Sequence, residues 1–145
     1  MPNITDNMLH QLDALNNWLG DVYGEGTGFS TLLLDADFSE AEIERIKREH
    51  LSEFLQAVMD LMAGYTDLSS EARNRFMVQH YGLIDGKPLD FYVIGHSYGV
   101  AGERIRQLVN RRLDLYRDPK RQTKFRHDFA AIGRQLLDNE SSGQG

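Results

Sequence analysis

The sequence predicts an all-α fold, and three observations carry that expectation. Apolar residues recur at helical spacing along several segments, with the opposite faces left polar. Helix boundary signals punctuate those segments, most clearly Ser39 with Glu42, Asp118-Pro119, Gly82 and Gly99. Around Gly99 the spacing is helix, three-residue turn, helix.

Taken in order, a first amphipathic helix is expected from about Asp6 to Gly20, burying Met8, Leu12, Leu15 and Leu19 together with Trp18. Gly24-Glu25-Gly26-Thr27-Gly28 follows as a flexible loop; no lysine follows it and Glu25 would repel phosphate, which excludes a nucleotide site. Leu32-Leu33-Leu34 reads as a short anchor into the core, too brief to assign to helix or strand. Ser39 and Glu42 form a capping box that starts one long helix reaching about Gly64. Its broad apolar face comprises Ile43, Ile46, Phe54, Leu55, Val58, Leu61, Met62 and Tyr65. Asp35 and Asp37 begin like a calcium loop, but Glu40 stands where the sharp turn needs glycine and Ile46 where the last acidic ligand belongs. Calcium is therefore excluded.

The next helix is expected from about Ser70 to Tyr81, stopped by Gly82 and linked by Ile84-Asp85-Gly86-Lys87-Pro88 to a short apolar-sided helix, Phe91 to His96. Gly99 sits where a tight turn needs a positive φ, and Val100 can plug between this helix and the one that follows. At about 100° per residue the second helix separates into two faces. Glu103, Arg106, Gln107, Asn110, Arg111 and Asp114 share a polar arc, while Ile105, Leu108, Val109, Leu113 and Tyr116 lie opposite. Arg112 projects into the apolar stripe, where an unpaired guanidinium would be very costly; it is expected to snorkel to the rim or to pair with a carboxylate. Asp118-Pro119 then opens a last helix with Phe125, Phe129, Ile132 and Leu136 on one face, and residues 139–145 have the composition of a frayed tail.

The polar arc carries side chains that can read DNA. Arginine grips guanine edges or phosphates, glutamine and asparagine read adenine, and glutamate accepts from cytosine. A plain solvated face would look similar on an isolated helix, but the preceding helix and turn favour a recognition helix entering the major groove.

The run Glu103-Arg104-Ile105-Arg106-Gln107, together with Leu68-Ser69-Ser70-Glu71-Ala72-Arg73, Tyr81-Gly82-Leu83 and Arg117-Asp118-Pro119-Lys120-Arg121, resembles the C-terminal promoter-binding domain, region four, of bacterial RNA polymerase sigma factors. The resemblance covers about residues 67–129 and has several motifs in order and register. It implies a region-four-like helix-turn-helix domain, taken over 67–138; charge and periodicity make 1–66 an acidic helical module, and composition makes 139–145 a flexible tail. The resemblance also implies double-stranded promoter DNA as a partner and the polymerase flap as a second one. The DNA-contacting residues are then Glu103, Arg104, Arg106, Gln107, Asn110, Arg111, Arg117, Lys120 and Arg121. Ala101-Gly102 departs from the family, which has a hydroxyl residue and then an arginine there. Alanine is a poor cap, and the missing arginine alters the promoter preference.

Charge divides the chain the same way. Residues 1–70 hold 13 acids against Arg45, Lys47 and Arg48, a net −10, whereas residues 71–145 hold 13 bases against 9 acids, a net +4. The basic half suits phosphate neutralisation; the acidic half would repel DNA and is expected to lie against the basic face or to serve as a solvated surface. No apolar run approaches a membrane span, the N-terminus lacks a signal peptide, and the absence of cysteine excludes disulfides and thiolate metal sites, in keeping with a cytoplasmic protein. His10, His50, His80, His96 and His127 are dispersed, without a paired metal spacing, and no serine sits in a nucleophile elbow. The expectation is a non-enzymatic, cofactor-free regulator of transcription, short of a complete sigma factor. The alternative is a protein-interaction module, a sigma mimic or adaptor that binds polymerase or another partner without reading DNA; Gly102 and the acidic half favour it.

Overall fold

The computed structural model describes residues 5–65 and 71–142, and among these the chain is helical, with no strand. Eight helices are present: α1 (Asp6–Tyr23), α2 (Phe29–Asp35), α3 (Glu40–Glu49), α4 (Leu51–Gly64), α5 (Glu71–Tyr81), α6 (Phe91–Tyr98), α7 (Gly102–Arg117) and α8 (Pro119–Ser142). The all-α expectation holds. Among the described residues no helix is long and apolar enough to cross a membrane, and no group of three or more metal-ligating side chains could hold an ion.

The boundary signals act locally as their chemistry requires. The Thr5 hydroxyl accepts the Met8 N–H at 3.1 Å and opens α1. The Ser39 hydroxyl accepts the Glu42 N–H at 3.1 Å while the Ser39 N–H donates to Glu42 Oε1 at 2.9 Å, closing the capping box on α3. The Asp118 carboxylate accepts the Arg121 N–H at 3.3 Å at the start of α8. Helix α1 runs past Gly20 to Tyr23, since Val22 still has core to bury and the chain first turns at Gly24 (φ 120°). Met8, expected in the core, is only half-buried. The leucine anchor belongs to α2, with Leu32 and Leu33 buried and Leu34 exposed.

The long helix expected from Ser39 to Gly64 is two helices, broken at His50 (φ −133°, ψ 15°). Ile46 and Leu51 are five residues apart, so an unbroken helix at about 100° per residue would turn Leu51 roughly 140° away from Ile46. The break brings Leu51, Phe54 and Val58 back onto the core that Ile43 and Ile46 enter. At the joint the His50 N–H donates to Ile46 O at 2.8 Å and the His50 carbonyl accepts from Phe54 N at 2.9 Å, so His50 closes α3 and opens α4. At the other end of the chain, α8 continues through Ser142, into the segment that reads as a tail; residues 143–145 and Leu68-Ser69-Ser70 lie outside the described residues.

One apolar cluster runs through all eight helices, with Trp18 of α1 completely buried near its centre. Its indole meets Tyr116 of α7 edge-on at 4.9 Å between ring centres and Phe125 of α8 at 5.3 Å, and Nε1–H donates to Met77 Sδ of α5 at 3.2 Å. A second aromatic set, Phe29, Phe54 and Phe129, joins α2, α4 and α8. The acidic N-terminal helices therefore supply the platform on which α5, α7 and α8 rest.

Arg112 does neither of the things expected of it. It is 3% exposed, so it does not reach the rim, and it pairs with no carboxylate among the described residues. Its guanidinium carbon lies 5.2 Å from the centre of the Tyr116 ring, while Nε and Nη2 meet no acceptor among the described residues. Arg112→Met fills similar volume without those donors. It is expected to raise unfolding free energy by about 1–3 kcal/mol, the cost of a buried unsatisfied donor, in urea denaturation. A loss of stability would show that the Tyr116 contact outweighs the unsatisfied donors.

Candidate nucleic-acid interface

The interface is built on α6, a three-residue turn and α7. Asp90 accepts the Tyr92 N–H at 2.8 Å and starts α6. The helix ends at Gly99, whose φ of 68° and ψ of 32° are the left-handed values that the turn requires. Val100 N–H returns to Gly95 O at 2.8 Å, and the half-buried Val100 side chain packs on the core. Gly95 itself is buried at the closest approach of the two helices, where a Cβ would run into the Val100 carbonyl and lie 3.2 Å from Gly102 N. Sequence reasoning missed this glycine; its signal was a small residue four positions before Gly99 on the face that meets α7.

Helix α7 begins without a side-chain cap, as expected from Ala101, and its first turn is closed by Arg104 N–H and Ile105 N–H donating to Ala101 O at 3.0 and 3.2 Å. The two faces separate as the wheel predicts. Ile105, Val109, Leu113 and Tyr116 are buried, and Leu108 is half-buried. Glu103, Arg104, Arg106, Gln107, Arg111 and Asp114 are exposed and Asn110 half-exposed along the opposite face. Among the described residues, nothing from the acidic helices covers these exposed side chains, so the expectation that the acidic half lies over the basic face is not met there.

The arc is internally ordered. Arg106 Nε donates to Glu103 Oε2 at 2.9 Å and Nη2 contacts Glu103 Oε1, a two-pronged pair one turn apart. The Arg106 hydrogen bonds hold the Glu103 carboxyl below the ordinary carboxylate range, so it stays ionised at neutral pH. Arg104 Nη1 donates to Gln107 Oε1 at 3.5 Å. Arg111 enters no ion pair among the described residues. Arg117 is turned toward α1, with Nε donating to the Asp21 carbonyl at 3.0 Å and Nη1 to Asp114 at 3.2 Å. Lys120 and Arg121 are exposed on the first turn of α8, beyond the C-terminal end of the arc. Eight of the nine sequence-derived residues thus point outward, six of them along one helix; Arg117 is shared with the α1 contact.

The linker that carries α6 is fixed to its neighbours. Gly82 (φ 74°) turns the chain out of α5, His80 Nδ1 lies 2.8 Å from Leu89 O, and the His80 ring stacks on Phe91 at 3.9 Å. These contacts fix α6 to α5 ahead of the turn into α7.

No family model matches the chain, and no solved structure matches it. Among curated proteins, an RNA polymerase sigma-C factor of Nostoc sp. (strain PCC 7120 / SAG 25.82 / UTEX 2576) is 33% identical over 94 residues, covering 65% of this chain and 21% of that protein. The chain therefore carries a sigma-factor-like region and spans about a fifth of the relative's length.

Proposed function

We propose that the chain is a non-enzymatic, sigma-like transcription regulator whose α5 to α8 correspond to region four and whose α7 enters the major groove of promoter DNA. The observation that carries this reading is the outward arc of Glu103, Arg104, Arg106, Gln107, Asn110 and Arg111 behind the Gly99 turn. A helix of this kind reads bases from its N-terminal half while the helix before it crosses the backbone. Arg106 and Gln107 serve as the base readers, and Arg111, Lys120 and Arg121 as phosphate contacts. Glu103 both orients Arg106 and can accept from a cytosine amino group.

Bacterial RNA polymerase is the second proposed partner, on the likeness to a sigma factor. The inner apolar faces of α5 and α7 are filled by Trp18 and its neighbours on α1, so a flap helix would dock outside this core or displace α1. The domain division at residue 66 is kept as a division of labour, with the acidic helices supporting and the basic helices reading.

The test separates phosphate contact from solvated charge. Arg111→Ala and the pair Lys120→Ala/Arg121→Ala are expected to weaken binding to all duplexes alike. Each should also reduce the slope of log affinity against log salt by about 0.9 for every phosphate that is no longer neutralised. Fluorescence anisotropy over a salt series reads both quantities. An unchanged slope in every variant would remove these cations from the interface.

A further inference from the structure

We propose that Tyr92 is a further DNA contact, its phenol O–H donating to a backbone phosphate beside the bases read by Arg106, and that Gly102 is there to seat it. The inference rests on the reading of α7 as the groove-entering helix. Tyr92 is 72% exposed, the most exposed large apolar side chain among the described residues, yet it is not free to wander. A Cβ placed on Gly102 would lie 2.5 Å from Tyr92 Cδ1 and 2.9 Å from Cε1 and Cγ. The ring therefore lies flat against the α-carbon of Gly102 in the first turn of α7, and this packing is what leaves that glycine buried while its neighbours Ala101 and Glu103 are exposed. Any larger residue at 102 would push the ring away.

The placement joins two helices with different tasks. Tyr92 stands on the first turn of α6, the helix that crosses the backbone in this docking geometry, and it rests on α7, the helix that enters the groove. Tyrosine is among the side chains that hydrogen-bond phosphate oxygens and fix register without reading sequence. A neutral O–H releases no counterion, so this contact differs from an arginine or lysine contact in a measurable way: it adds affinity without adding salt dependence.

The experiment is a set of full-length variants titrated onto one preferred and one unrelated duplex over a salt series, with circular dichroism on each. Tyr92→Phe keeps the ring and removes only the donor. It is expected to weaken both duplexes by the same factor, roughly 10- to 100-fold for one hydrogen bond to a charged acceptor, with an unchanged salt slope. Gly102→Ala should weaken binding in the presence of Tyr92 and have no effect in a Tyr92→Ala background, because the seat matters only when the ring is there. Alanine is the better helix former, so weaker binding by Gly102→Ala is not the result of a weakened helix. If Arg106→Ala lowers affinity while Tyr92→Phe does not, the inference about Tyr92 is wrong and the reading of α7 stands. Additive effects of Gly102→Ala and Tyr92→Ala would likewise remove the seat. If Arg106→Ala and Tyr92→Phe are both without effect, α7 is not on DNA and the inference falls with the proposed function.

Discussion

Trp18→Ala is expected to lower the unfolding free energy by about 3–5 kcal/mol, the range for deleting a large aromatic side chain from a packed core. The indole is completely buried and bridges three helices through Tyr116, Phe125 and Met77, so no single neighbour can collapse into the space it leaves. Its removal also unsupports α7 from behind, since Tyr116 sits on the buried face opposite the exposed polar arc. DNA affinity should therefore fall in parallel with stability although Trp18, completely buried, can touch no DNA itself. Urea denaturation followed by circular dichroism measures the first effect. A destabilisation below about 1 kcal/mol would mean that the N-terminal helices are not the platform for α7.

The double variant Arg106→Ala/Gln107→Ala is expected to have the largest effect on binding. Each bidentate base contact discriminates by roughly 1–3 kcal/mol. The two residues sit in adjoining pairs, Arg106 with Glu103 and Gln107 with Arg104, so the effects of removing them should not simply add. Glu103 left without its partner would face the DNA as an unopposed carboxylate, which adds a repulsive element against phosphate. Both side chains are exposed, so the fold should be unchanged, with stability within about 0.5 kcal/mol of the parent. Affinity for a preferred duplex should fall toward that for an unrelated one.

What could be read directly from the sequence was the part governed by local rules. The capping box at Ser39, the Asp118 cap, the left-handed turn at Gly99 and the two faces of α7 each depend on residues within one or two helical turns. The break at His50 was hidden because both halves of the segment are apolar at helical spacing, and only the five-residue step from Ile46 to Leu51 marks the change of direction. Arg112 escaped for a different reason: what surrounds it is set by tertiary packing, which among the described residues placed a tyrosine ring rather than a carboxylate within reach. The seating of Tyr92 on Gly102 joins residues ten apart through a turn. In the sequence Gly102 stood out only as a departure from the family's arginine, and nothing pointed to Tyr92 as its neighbour. The outward arc itself was legible because it needs only the 3.6-residue period; its internal pairing needed rotamers.

The central claim is that α7 reads duplex DNA, and it is tested most directly by selection of bound duplexes from a random-sequence pool with the parent chain and with the Arg106→Ala/Gln107→Ala variant. The account predicts that the parent enriches a short sequence motif, and that the folded variant retains weak, salt-sensitive binding while enriching none. Enrichment of the same motif by both, or of no motif by the parent, would contradict it.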